Sequence, residues 1–234
     1  MLSSDEPMRI ALLHALPLDE RMWEPQLPSL SEHDVHRPKL YGLGETMDEW
    51  ALGVLQQVPG RLVAVGASMG GYCASAIARL APERLVGLVL AGSRADADPP
   101  ERRPLREEWI RIAREQGGEG LWEAVAKNFF TAEADPAVVA RARAIVAEQD
   151  PEGLVRAIEA IRDRPDSTKA VTSGIPLLVI AGAEDHLIPP EVARELAAAS
   201  PVGRAEVLQG CGHLPSMERP DEFNRILSAF LAEL

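Results

Sequence analysis

The chain has 234 residues, 46% of them hydrophobic, with 24 Lys and Arg against 36 Asp and Glu and a formal net charge of -12. That length supports one sizeable core rather than two, and the acidic balance leaves no basic footprint for a nucleic-acid partner. No apolar run approaches the ~20 residues needed to span a bilayer, residues 1–7 carry acids rather than a basic leader, and Cys73 and Cys211 are too few for a disulfide framework, so a cytoplasmic protein with free thiols and no membrane partner is expected.

From Met8 the chain reads Arg-Ile-Ala-Leu-Leu-His-Ala-Leu and ends in a turn-like Pro17-Leu18-Asp19, the pattern of a buried parallel strand. A weaker strand is expected over 34–37, a helix over 47–57, a strand over 61–66, a helix over 71–80 and a strand over 85–91. After a long interruption come a strand at 175–181, a helix at 191–199, a weak strand at 204–208 and a last helix from 221 to 234. Strand alternating with helix implies a doubly wound, mainly parallel sheet, here of about six strands.

The interruption, residues 94–168, shows helical patterns punctuated by Pro99, Pro100, Gly117, Gly118, Pro136, Pro151 and Pro165, and no strand. It is read as a helical cap inserted into a core made of residues 1–93 and 169–234. Four apolar stripes are expected: Leu105, Trp109 and Ile112; Leu121, Trp122 and Val125; Val138, Ala142 and Ile145; Leu154, Ile158 and Ile161. Most of these side chains suit the cap's own core. Trp122, Phe129 and Phe130 are the candidates for a substrate-binding pocket, which would be largely apolar, and the acidic balance of the insertion disfavours strongly anionic substrates.

The strand at 61–66 runs straight into Gly66-Ala67-Ser68-Met69-Gly70-Gly71 and then into a helix pattern. A serine on such a sharp strand-to-helix turn is lifted above the sheet edge, and the flanking glycines allow close approach of strand and helix. The helix N-terminus brings free N–H groups, Met69 first, to the place where an oxyanion would form. A serine hydroxyl needs a base and a carboxylate to orient that base. Both occur downstream in loops after strands: Gly182-Ala183-Glu184-Asp185-His186-Leu187-Ile188-Pro189 and Gly210-Cys211-Gly212-His213-Leu214-Pro215. On residues alone either Glu184 or Asp185 can serve as the acid. His33 and His36 lack a Cys/His cluster nearby, so no metal site is expected.

These three segments together resemble the α/β-hydrolase superfamily over nearly the whole chain. The resemblance implies a nucleophile Ser68, an acid Asp185, a base His213 and a second oxyanion donor, the Leu16 N–H, in His14-Ala15-Leu16, where Ala15 stands in place of the usual glycine. His14 then braces that loop. Serine at the elbow argues against the dehalogenase and epoxide-hydrolase branches, which use aspartate. In outline the chain is similar to small bacterial carboxylesterases, 3-oxoadipate enol-lactonases and pimeloyl-carrier-protein methyl esterases. This implies cleavage of a small, largely apolar ester or lactone, without metal or cofactor. The same fold also carries non-hydrolytic receptors, and the same triad can serve C–C bond hydrolysis, thioester cleavage or cofactor-free perhydrolysis.

Overall fold

Four aliphatic runs and two more polar edge segments become six parallel strands in the computed structural model, which describes residues 8–234; residues 1–7, with their acids, lie outside the described residues. The strands are β1 (Arg9–Leu13), β2 (Asp34–His36), β3 (Leu62–Ala67), β4 (Leu85–Ala91), β5 (Leu177–Gly182) and β6 (Gly203–Leu208), in the order β2-β1-β3-β4-β5-β6. The helices are α1 (Met47–Gln57), α2 (Met69–Leu80), α3 (Arg103–Ala124), α4 (Pro136–Ala147), α5 (Pro151–Arg162), α6 (Thr168–Val171), α7 (Pro190–Ala199), α8 (Pro215–Glu218) and α9 (Pro220–Leu231).

Because a strand turns successive side chains to opposite faces, a run such as Ile10-Ala11-Leu12-Leu13 feeds two cores at once. Ala11 and Leu13 pack with Trp50 of α1 and Ile77 of α2. Ile10 and Leu12 pack with Trp23 and with Phe223 of α9. Every residue of β3 and β5 is buried, which is why these strands read as continuous apolar runs rather than alternating ones. The 3₁₀ stretch Glu20–Leu30 has no counterpart in the sequence reading; Pro25 and Pro28 interrupt regular helical hydrogen bonding while Met22, Trp23 and Leu30 are still buried.

The segment between β4 and β5 is helical, as expected, but its first apolar stripe is rotated by one position. Leu105 is 45% exposed, and the buried face of α3 is Arg106, Ile110 and Ala113. Arg106 can be buried because Asp98 receives both its Nε and its Nη2, so the charge enters the interior with its counter-ion. The two expected helices at 105–112 and 121–125 are joined into α3 across a break at Gly117 (φ 62, ψ -151).

The chain passes from β1 outward to β2 on one side, then returns to build β3 to β6 on the other. The carboxyl ends of β1 and β3 therefore flank the point where the winding reverses, the place where open α/β sheets leave a crevice for ligands. Among the described residues no helix is long and apolar enough to cross a membrane.

Candidate active site

Ser68 lies in that crevice, between β3 and α2, at φ 47 and ψ -111, the one non-glycine residue with positive φ among those described. Such backbone costs on the order of 1–3 kcal/mol and persists only where its surroundings impose it. Here the imposition is close packing. A Cβ on Gly66 would stand 2.3 Å from the Gly70 carbonyl oxygen, and one on Gly70 would stand 2.0 Å from that of Leu13. Only glycine lets α2 rise this tightly from the sheet. The Ser68 N–H donates to the Ala91 carbonyl at 2.8 Å, tying the turn to the end of β4.

The loops after β5 and β6 bring two further residues to the serine. His213 Nε2 lies 2.9 Å from Ser68 Oγ, and His213 Nδ1 lies 2.7 Å from Asp185 Oδ2. An ionised carboxylate can only accept, so Nδ1 carries the proton and Nε2 is left to accept the serine O–H. Asp185 is itself oriented: its Oδ1 accepts the N–H groups of Leu187 and Ile188, both at 2.9 Å. Burial alone raises the Asp185 carboxyl, but the adjoining charge and hydrogen bond of His213, with those two N–H groups, outweigh it and hold the group below its ordinary range. Glu184 and His186 are both exposed. The geometry brings Asp185, not Glu184, to the imidazole.

Two backbone donors are left free, one on the residue after the serine and one on a residue of the cavity wall. Among the described residues neither the Met69 N–H nor the Leu16 N–H has a hydrogen-bond partner, and Leu16 lines the same cavity as Ser68 and His213. Ala15 keeps negative φ, so its methyl is compatible with the loop. His14 braces the turn: its Nδ1 lies 3.2 Å from the Ala15 carbonyl, and its Nε2 accepts the Leu40 N–H at 3.0 Å.

The histidine loop is also bound to the segment between α3 and α4, a connection absent from the sequence reading. The His213 N–H donates to the Phe129 carbonyl at 2.7 Å. Glu218, at the end of α8, accepts the Gly212 N–H at 2.7 Å and the Thr131 N–H at 2.9 Å. The Phe129 ring lies 5.0 Å from the His213 ring, centroid to centroid.

A narrow cavity of about 50 Å³ opens onto Ser68 and His213, walled mainly by Leu16, Tyr72, Trp109, Leu121, Val125, Phe129 and Ile161. Phe129 is on this wall; Trp122 and Phe130 are not. Leu121 and Val125, four positions apart, share the face turned to the cavity, so Trp122, one step round the helix, turns into the packing with Val146 and Ile145. Phe130 packs beside it at 6.5 Å. Arg102 and Arg106 also line the cavity and were not among the expected pocket residues.

The sheet order and the Ser–His–Asp hydrogen bonds at its switch point define a class of doubly wound α/β protein with a serine-centred site in the crevice. The chain belongs to the alpha/beta hydrolase family, whose model matches residues 10–226. It is similar to a thermophilic esterase from Thermogutta terrifontis, at 32% identity and a TM-score of 0.90, over 97% of this chain and 90% of that one. It is similar to the enol-lactonase from Burkholderia xenovorans LB400, at 30% identity and a TM-score of 0.84, over 97% and 92% of the two chains. A pimeloyl-[acyl-carrier protein] methyl ester esterase from Yersinia enterocolitica is 28% identical over 238 residues, 94% of this chain and 92% of that one.

Proposed function

We propose that this ester-cleaving hydrolase works by acyl transfer through Ser68, on a small carboxylic ester or lactone whose body is largely apolar. The observation that carries the reading is the unbroken line of hydrogen bonds from Ser68 Oγ through His213 to Asp185, at 2.9 and 2.7 Å, ending at an open cavity. His213 Nε2 takes the hydroxyl proton as Oγ bonds to the substrate carbonyl carbon, and the carbonyl oxygen, now anionic, is received by the Met69 and Leu16 N–H groups. The imidazolium, stabilised by Asp185, returns the proton to the departing alkoxide. Water then attacks the acyl-serine, giving a proton to His213, which passes it to Ser68 Oγ as the acyl–oxygen bond breaks; the acid leaves and ionises in solvent. No step uses a metal or a cofactor.

We take residues 94–168 as a cap over the site, since Trp109, Leu121, Val125, Phe129 and Ile161 from that segment wall the cavity together with Leu16 and Ile188 from the sheet loops. The similar proteins, two esterases and an enol-lactonase, are in keeping with ester or lactone cleavage. The test is hydrolysis of p-nitrophenyl acetate, with fluorophosphonate labelling alongside. Ser68→Ala should lose about 10³- to 10⁶-fold in kcat and should not label. Undiminished turnover in that variant, or a folded wild-type protein that does not label, overturns the reading.

A further inference from the structure

The charge around the cavity is opposite to that of the chain. The protein carries a net charge of -12, yet two buried guanidiniums, those of Arg106 and Arg164, share one carboxylate, Asp98, and a third, that of Arg102, lines the cavity beside Arg106. Asp98 accepts from Arg106 Nε and Nη2 and from Arg164 Nη1, each at 2.9 Å. Both arginine side chains are at least 95% buried, and the Asp98 side chain is 2% exposed. Of the acids nearby, Asp96 is committed to Arg94, Glu107 to Arg162 and Glu108 to Arg111, and Glu101 is exposed to solvent. Arg164 stacks its guanidinium 3.9 Å over the ring of Tyr72, which also lines the cavity.

Two of these arginines reach the cavity itself. Arg106 lines it, rests over Trp109 at 4.7 Å, and makes no hydrogen bond through Nη1 to any described residue. Arg102, four positions earlier and so on the same side of the helical turn, lines it too. Its one hydrogen bond is to the Leu187 carbonyl at 3.3 Å, and no described carboxylate lies within 4.0 Å of it. A guanidinium in an otherwise apolar cavity gains most from a planar anion that meets its fork with two parallel hydrogen bonds. The overall acidity that speaks against anionic substrates acts from the outer surface and is screened there, whereas buried charges act at short range and low dielectric.

We propose that Arg102 and Arg106 form a carboxylate subsite in the cavity beside Ser68, so that the substrate is an ester or lactone bearing a free carboxylate away from the bond that is cleaved. This rests on the hydrolase reading above. The apolar lining then holds the methylene chain between the two ends, and the distance between ester and carboxylate becomes a determinant of specificity.

The experiment compares monomethyl esters of straight-chain dicarboxylic acids, from succinate to suberate, with methyl esters of uncharged acids of the same length. The wild-type protein should prefer the charged series at least 10-fold in kcat/KM at its best chain length, chiefly through KM. In Arg102→Gln that ratio should fall about 10-fold, and in Arg102→Glu it should invert; because it is a ratio, loss of active protein cancels from it. Equal kcat/KM for the two series in the wild type, or a preference that survives Arg102→Gln, overturns the subsite. Calorimetric titration of glutarate into Ser68→Ala separates this proposal from the hydrolase reading. Binding weakened about 10-fold by adding Arg102→Gln supports the subsite even if no ester turns over, and absence of glutarate binding rejects it even if neutral esters are hydrolysed.

Discussion

Glu218 holds Gly212: its Oε2 accepts the Gly212 N–H at 2.7 Å, one residue before His213. Its other oxygen accepts the N–H and the hydroxyl of Thr131. One buried carboxylate thus fastens the loop of His213 to the segment that carries Phe129, whose carbonyl receives the His213 N–H. Glu218→Ala leaves the N–H groups of Gly212 and Thr131 without this acceptor, a loss of about 1–3 kcal/mol for each that stays buried. The expected result is a lower urea midpoint and, per folded molecule, kcat reduced about 10-fold with KM little changed, as for a group that positions the base rather than binds substrate. If kcat per folded molecule is unaltered while the midpoint falls, Glu218 serves stability alone.

Asp185 and Glu184 are adjacent acids with opposite environments, one buried against His213 and one in solvent. Asp185→Asn preserves shape but offers an amide to Nδ1, which favours the wrong imidazole tautomer, and a loss of about 10⁴ in kcat is expected. Glu184→Gln should stay within about twofold, since surface substitutions away from such features change little. Steady-state rates of the two variants on one ester decide the matter. Equal losses would return the assignment of the acid to the sequence-level ambiguity.

How far the sequence reached follows from the range of each interaction. Parallel strands buried on both faces must be apolar throughout, so β3, β4 and β5 were legible as runs, and Ser68 was legible because its close-packed turn demands Gly66 and Gly70 within two residues. Glu218 was not, because its partner Thr131 is 87 positions away and two of the three groups it binds, the N–H groups of Thr131 and Gly212, are main-chain groups that carry no residue-type signal. Arg106 defeated the stripe reading for a related reason. Hydropathy places Leu105 inside and arginine outside, and only the bidentate contact with Asp98, eight positions earlier and out of helical phase, reverses that order. Trp122 and Phe130 were chosen by size and aromaticity, but the phase set by Leu121 and Val125 decides which side chains meet the cavity.

His14 makes stability depend on pH in a window of its own. Burial pushes its pKa down from 6.5 to about 4, with partial opposition from the bond to the Ala15 carbonyl. Between those values the unfolded chain binds a proton that the folded one refuses, so stability falls as pH drops from about 6.5 to about 4 and then levels off for this group. The full effect is about 3 kcal/mol. Asp185 acts lower: its folded pKa is depressed, so its contribution is present above the ordinary carboxylate pKa and lost only as pH falls through the folded value. Urea midpoints at pH 7, 5.5 and 4.5 should decline in the wild type and decline less in His14→Gln. Equal slopes for the two proteins would show that His14 is protonated without penalty.

Gly70, at the start of α2, and Ala15, in the loop after β1, should respond differently to one methyl group. A Cβ on Gly70 meets backbone, the Leu13 carbonyl oxygen at 2.0 Å and the His14 carbonyl oxygen at 2.9 Å. Neither atom can swing away as a side-chain tip could, so Gly70→Ala must separate the start of α2 from the end of β1. That shift moves the unpaired Met69 and Leu16 N–H groups apart and carries Ser68 from its 2.9 Å contact with His213. A loss of more than about 3 kcal/mol in stability is expected, with kcat down at least about 10²-fold in whatever protein folds, as for loss of one oxyanion donor. Ala15→Gly removes the methyl at a position that keeps negative φ. It should cost about 1–2 kcal/mol, from the greater freedom of the unfolded chain and the loss of a fully buried methyl, and leave kcat within about twofold, because His14 still holds the loop. Denaturation curves and ester kinetics on both variants test this together. A well-folded, active Gly70→Ala enzyme would mean that the elbow has slack and that its close packing does not set the position of the serine.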